Sequence, residues 1–252
     1  MKPMLCKPEI YDNLPSYQSE WVAEEKFDGV RSFIKNGELH NRRGDVITHK
    51  FPEIDLSNIP KDIVLDGELM CDEFELIAGR VHTKDKLKIR ILSKTTPATF
   101  MAFDIPSVSG DYDTRRAELE KFEGKYSWLK IAKQHTDIMA LWERVKDDKG
   151  EGIVIKYRRS GYAEGKRSPD WLKIKMWLEC IATFTSYKIH PRGVRLETDT
   201  GRSVNVNGAQ AVGVKKLIDD NGSVECEVQY LPQQNSDAWR FPSFKRVVGD
   251  GI

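Results

Sequence analysis

Residues 21–42 read WVAEEKFDGVRSFIKNGELHNR, the texture of strands joined by tight turns. VRSFI (30–34) and ELHNR (38–42) flank Asn36-Gly37, a dipeptide that accepts the positive φ of a two-residue hairpin connection. That turn is expected to fold Arg42 back towards Lys26. Lys26 stands at the end of the preceding strand beside Asp28 and Arg31, with Gly29 expected to permit a sharp turn. A lysine presented in this way is a candidate nucleophile. The alternative is a solvated surface residue, and K-x-D-G-x-R alone is compatible with either.

Outward from this stretch, strand and helix patterns alternate. IVLDGELM (63–70) and the nearly continuous apolar run TFMAFDI (99–105) read as strands, and FELIAGRVHT (74–83) as a short helix. Residues 114–123 and 136–149 carry apolar side chains at helical spacing, the second run stopped by Gly150. EGIVIKY (151–157) and WLKIKMWL (171–178) are further strands. In the latter, Lys173 and Lys175 alternate with Leu172 and Ile174, so a period of two sends both ammonium groups to one face. After residue 178 the chain turns to short β runs with one helix, AQAVGVKKLIDD (209–220). That pattern suits a small β-barrel, with a simple β extension of the first domain as the alternative.

The chain has 252 residues, 39% of them hydrophobic and 31% charged, which excludes disordered and collagen-like classes. Forty Lys and Arg against 39 Asp and Glu leave +1, so a uniformly basic coat is excluded and local patches must be sought. Residues 80–94 hold six bases against Asp85 alone, and residues 151–177 seven bases against three acids. Either run is a solvated face or a polyanion surface. Cys6, Cys71, Cys180 and Cys226 form no C-x-x-C pair, which argues against a disulfide framework or a zinc ribbon, and the five His occur at no ligand spacing. With no apolar run suited to a signal peptide or a membrane span, a cytoplasmic protein with no membrane partner is expected.

Five further motifs follow Lys26–Arg31 in order: Asn41-Arg42-Arg43-Gly44, Asp66-Gly67-Glu68, Phe103-Asp104, Glu151-Gly152-Ile153-Val154-Ile155-Lys156 and Trp171-Leu172-Lys173-Ile174-Lys175. In this order and spacing they resemble the covalent nucleotidyltransferases, specifically the ATP-dependent DNA ligases, from about Trp21 to Arg246. The resemblance implies an α+β fold: an adenylation (nucleotidyltransferase) domain with antiparallel sheets and flanking helices over 1–178, then a small OB-fold β-barrel over 179–252. It implies a minimal ligase that seals 5′-phosphate/3′-hydroxyl nicks through a lysyl-AMP intermediate and a DNA-adenylate. ATP and Mg²⁺ or Mn²⁺ are the implied cofactors, nicked double-stranded DNA the partner, and a monomer the working form.

Within that resemblance Lys26 is the nucleophile, with Asp28, Arg31, Lys173 and Lys175 in the catalytic set. An ordinary lysine ammonium must shed its proton to attack, at a cost of about 4.6 kcal/mol at pH 7, and a metal ion together with Lys173 and Lys175 would lower that cost. Glu24 corresponds to the position that accepts from the adenine amino group, and Phe103 is placed to stack on the base, although an aromatic in an apolar strand is also ordinary core. Arg42 resembles the arginine that holds the ribose and later the nick phosphate, and Arg31 a phosphate-side contact. For both, the bland alternative is a surface salt bridge. Glu68 and Glu151 are the metal-side carboxylates, since hard oxygen ligands suit Mg²⁺, or else partners for Arg42 or Lys156. Lys156 joins the nucleotide-binding set. Arg158, Arg159, Lys166 and Arg167, with Arg42, Lys245, Arg246 and the 80–94 run, are the expected contacts to the DNA backbone.

The tail Arg240-Phe241-Pro242-Ser243-Phe244 is similar to DNA-ligase OB domains, yet the R-x-D-K that usually follows is altered, with Val248 and Gly251 at the expected Arg and Lys positions. Lys245 and Arg246 are possible substitutes in orienting pyrophosphate. Competing readings are an RNA ligase or RNA-capping nucleotidyltransferase, which share the K-x-D-G core, and a non-catalytic nick-binding protein.

Overall fold

A computed structural model describes residues 1–17, 19–72, 74–233 and 236–249. The chain divides into two compact units, Met1–Ile174 and Lys175–Ile252, against the 178/179 division read from the sequence.

The first unit holds two sheets. One has the strand order β1-β9-β8-β2, built from β1 (Leu5–Pro8), β2 (Trp21–Glu25), β8 (Gly152–Tyr157) and β9 (Arg167–Lys175). The other has the order β4-β3-β5-β6-β7, from β3 (Val30–Lys35), β4 (Glu38–Asn41), β5 (Val64–Met70), β6 (Thr99–Asp104) and β7 (Leu129–Ile131). The β3–β4 hairpin forms as expected, with Asn36 at φ 54° and Gly37 at φ 74°. β2 pairs antiparallel with β8, Glu24 opposite Val154, so residues 26–29 are the crossover from one sheet to the other.

Gly29 serves that crossover differently from expectation. Its φ lies outside the left-handed region, and what it supplies is close approach: a Cβ there would stand 2.2 Å from the Leu69 carbonyl oxygen and 2.9 Å from Glu68 Cγ. Gly29→Ala must therefore push β3 off β5. We expect a loss of about 2–4 kcal/mol, read as a lower midpoint in urea unfolding, whereas Gly37→Ala meets nothing within 4 Å and should cost only the strain of its positive φ, about 1–2 kcal/mol.

Helices cover the sheets: α1 (Phe74–His82), α2 (Lys86–Thr95), α3 (Tyr112–Glu120) and α4 (Ile138–Asp147). α4 buries Ile138, Leu141, Trp142 and Val145, a single stripe at spacings of three and four, and starts at Asp137, whose side chain accepts from the Ala140 N–H at 2.9 Å. Most of the basic run at 80–94 forms a helix, α2, where the sequence shows only a charge run. Asp85 caps it by accepting from the N–H groups of Leu87 and Lys88, and Ile89 is its only buried side chain.

The second unit contains β10 (Leu178–Phe184), β11 (Ser186–His190), β12 (Gly193–Glu197), β13 (Ser203–Asn207), α5 (Gly208–Asn221), β14 (Val224–Gln233) and β15 (Ser236–Val247). Among the described residues the strands form two three-stranded sheets, β10-β14-β15 and β11-β12-β13, and no hydrogen-bonded ring closes a barrel. A core of Phe184, Leu196, Val204, Val206, Val214 and Val228 lies within this unit. Gly251, in the altered C-terminal motif, lies outside the described residues.

Candidate active site

The crossover places Lys26 at the mouth of a cavity in the first unit, whose walls include Glu24, Arg42, Glu68, Phe103, Lys156 and Lys173. Two neighbours in β8's approach fix Lys26. Its backbone N–H donates to the Gly152 carbonyl at 2.9 Å, and Nζ donates to Glu151 Oε2 at 2.5 Å.

Behind the lysine lies a buried polar cluster. Glu24 Oε2 accepts from Lys156 Nζ at 2.7 Å, Oε1 accepts from the Tyr112 hydroxyl, and Arg116 stands 3.7 Å away. Lys156 Nζ also donates to the Phe103 carbonyl at 2.9 Å and lies 4.5 Å from the Trp171 ring centroid. Lys156 and Glu24 are almost fully buried, so their charges depend on each other. Glu24 thus reaches the cavity with both oxygens already engaged, leaving one lone pair on each for a ligand.

Arg31 was expected on a phosphate. Instead its fork is turned to Asp66, Nε to Oδ1 at 3.0 Å and Nη2 to Oδ2 at 2.6 Å, and its guanidinium lies 5.1 Å from the Phe103 ring centroid. Burial works against the Arg31 charge, but Asp66 outweighs it and holds the guanidinium firmly protonated. Tyr162 donates to Asp66 Oδ2 at 2.7 Å, completing a clamp that orients the aromatic wall. Asp28 lies in the crossover and does not line the cavity.

Lys173 lines the cavity as the strand period demands, and so does Trp171, two residues earlier on the same face and missed in the sequence. Lys175 opens the second unit, with its ammonium over the rings of Trp177 and Phe241. Leu5 and Cys6 of β1 complete the wall because β1 pairs parallel with β9, a contact between segments some 160 residues apart. Of the expected DNA contacts, Arg42 and Arg167 line this cavity, and Lys166 is exposed just before β9. Arg158 is paired with Asp113 at 3.1 Å, Arg159 with Asp111 at 3.1 Å, Lys245 with Glu179 at 3.8 Å and Arg246 with Glu227 at 2.5 Å.

Glu68 faces the cavity with its carboxyl pushed up to about 8. Burial is the main cause, opposed by the Lys26 and Arg31 charges and reinforced by Glu151 and Asp66. Between the ordinary carboxylate value and that of the fold, the native state keeps a proton the unfolded chain has lost, so stability declines as pH rises through this window. Glu68→Gln cannot ionise. Its melting temperature is expected to gain on wild type by several degrees between pH 5 and pH 8, and a constant gap would show that Glu68 does not titrate there.

Two sheets meeting at a lysine-bearing crossover, with a buried acid–lysine pair behind an aromatic wall, are the fold of the nucleotidyltransferase class, followed here by an OB-type unit. The family described as ATP dependent DNA ligase domain matches residues 3–175, and this chain belongs to it. Bifunctional non-homologous end joining protein LigD of Bacillus subtilis is 29% identical over 215 residues, covering 71% of this chain and 35% of that protein. The chain thus spans about a third of the length of the first curated relatives it matches. Its fold is similar to that of a Lig E DNA ligase, with a TM-score of 0.75 at 22% identity over 98% of this chain and 99% of the other. A mycobacterial DNA ligase D complexed with ATP and MES aligns with a TM-score of 0.59 at 19% identity, over 99% and 95% of the two chains. No helix among the described residues is long and apolar enough to cross a membrane.

Proposed function

We propose that the chain is an ATP-dependent DNA ligase that seals nicks in duplex DNA, with Lys26 as the adenylate carrier, acting as a monomer in a reducing cytoplasm. The observation that carries this reading is Lys26 Nζ, 2.5 Å from Glu151 and opening onto a cavity walled by Glu24, Phe103, Glu68 and Lys173.

The Lys26 ammonium first gives up a proton, for which Glu151 is the placed acceptor. The neutral amine attacks the α-phosphorus of ATP, an N–P bond forms, the bond to the bridging oxygen breaks and pyrophosphate leaves. AMP then passes to the 5′-phosphate at the nick, freeing the lysine. The 3′-hydroxyl finally attacks that phosphorus and expels AMP. Each displacement is in line, so positioning and charge neutralisation supply most of the acceleration. Lys173 and Arg42 face the phosphates and ribose, Phe103 stacks on the base against the Arg31–Asp66 clamp, and Glu24 and Lys156 receive its edge.

Glu68 and Glu151 would suit Mg²⁺ or Mn²⁺ once ionised, so binding of the ion would displace the proton that burial keeps on Glu68. No cluster of three or more potential ligands occurs among the described residues, but one or two carboxylates completed by substrate phosphates are the usual Mg²⁺ arrangement. Bound there, the ion would supply charge neutralisation to the triphosphate.

Sealing of a labelled nick with ATP and Mg²⁺, read on a denaturing gel, tests the proposal. A longer labelled strand is the expected result. No product on nicked DNA, or product only on nicked RNA, would overturn it.

A further inference from the structure

We infer that α2 and the segment facing it form a second anion site, a groove that holds the phosphates of the DNA duplex outside the lysine cavity. The choice of duplex DNA as the anion rests on the ligase reading, and the groove itself on the following geometry. The basic run at 80–94 folds into the end of α1 and nearly all of α2, and it borders an open groove whose other wall is His49, Lys50, Pro52 and Glu53. Lys86, Arg90 and Lys94 recur every four residues on α2, and all three line the groove together with His49, Lys50 and Lys84.

These cations are poorly compensated. α2 contains no acidic residue, and among the described residues the side chains of Lys84, Lys86, Arg90 and Lys94 have no ion-pair or hydrogen-bond partner. The one carboxylate in the wall, Glu53, is engaged by Arg80 at 2.5 Å and by the Ala98 N–H at 2.8 Å. Asp85 is occupied in capping α2. Like charges four residues apart destabilise a helix, and Lys86 and Lys88 in the first turn oppose the helix dipole. An anion lying along the row relieves both costs.

The walls are held at a fixed spacing. Lys50 Nζ donates to the Thr83 carbonyl, and the buried Arg80 donates from Nε to the Lys50 carbonyl at 2.7 Å. Arg80 Nη1 is itself buried without a hydrogen-bond partner among the described residues. The groove holds about 890 Å³, some four times the 220 Å³ of the lysine cavity, and its cations on α2 extend from Lys86 to Lys94, roughly 12 Å. That reach suits successive phosphates of a polymer rather than one nucleotide. Leu87 and Ile91, 65% and 51% exposed, add apolar surface for the sugars beside the row.

The test is the triple variant Lys86→Gln/Arg90→Gln/Lys94→Gln of the full chain, in two measurements. Transfer of AMP from ATP to the protein without DNA should be unchanged. Affinity for a nicked duplex between 50 and 200 mM salt should show a slope of log K against log salt shallower by about 2–3, with binding at 100 mM at least tenfold weaker. Lys88→Gln, outside the groove lining, should leave both near wild type. An unchanged slope with AMP transfer intact would overturn the proposal, as would loss of binding to polyglutamate with duplex binding retained. Should the triple variant lose AMP transfer, Arg90→Gln alone decides, with an expected slope change of about 0.9. Wild-type protein that accepts no AMP yet binds duplex with a groove-dependent slope would refute the ligase reading and leave the groove standing.

Discussion

Lys26→Ala is expected to abolish both AMP transfer to the protein and nick sealing, by at least a thousandfold. Among the described residues, no other side chain is held by strand pairing on one side and a carboxylate at 2.5 Å on the other while opening onto the cavity. Covalent catalysis by a lysine has no substitute once the amine is gone, and a thousandfold corresponds to about 4 kcal/mol of activation free energy. Lys26→Arg should be as inactive, because a guanidinium stays protonated and cannot attack. Incubation with α-labelled ATP and Mg²⁺, followed by denaturing electrophoresis, reads the effect directly. Label that persists on Lys26→Ala would place the adenylate on another residue. Sealing of a nick already carrying 5′-AMP bypasses the first step, and it should survive in Lys26→Ala far better than sealing from ATP.

The largest stability effect is expected at Arg115→Met. Arg115 grips Asp104 with two bonds, Nε to Oδ1 at 2.7 Å and Nη2 to Oδ2 at 3.0 Å, and spends Nη1 on the carbonyls of Gly110 and Ser160 at 3.0 Å each. Both partners are about 1% exposed, so the variant leaves Asp104 ionised in a dry site or forces a proton onto it. Removing one member of a buried pair costs about 3–5 kcal/mol, which lowers the melting temperature by about 10 °C in a chain of this size. Arg115→Met combined with Asp104→Leu should recover much of the loss, since no unpaired charge then remains. A double variant as unstable as the single would mean that the carbonyls of Gly110 and Ser160, not the carboxylate, depend most on Arg115. Phe103 immediately precedes Asp104, so the single variant should also weaken nucleotide binding.

What was legible in the sequence is what sits within one strand or one turn. The hairpin at Asn36-Gly37 announced itself through residues that accept positive φ, and the placement of Lys173 followed from a period of two. Trp171 obeys the same period, but in a strand an apolar residue reads as core, so its place in the cavity wall went unread. Arg31 and Asp66 lie on neighbouring strands, and the bond between them depends on the β3–β5 register, in which Arg31 stands opposite Glu68 and Phe33 opposite Asp66. No local pattern encodes that register. Leu5 and Cys6 reach the site only through the parallel pairing of β1 with β9, and α2 hid its helix beneath a run of like charge that its Asp85 cap offsets. Gly29 was legible as a special position but for the wrong reason, because a close approach of backbones cannot be told from a tight turn by composition.

The paired hold on Lys26 has a kinetic consequence. Its main chain is tied to Gly152 and its side chain to the preceding residue, Glu151, so the entry to β8 locates both ends of the proposed nucleophile. A free lysine side chain samples many rotamers, worth about 2 kcal/mol of entropy. Here much of that search is completed when the chain folds, so under the proposed function each incoming nucleotide would meet an amine already aimed rather than one that must be found.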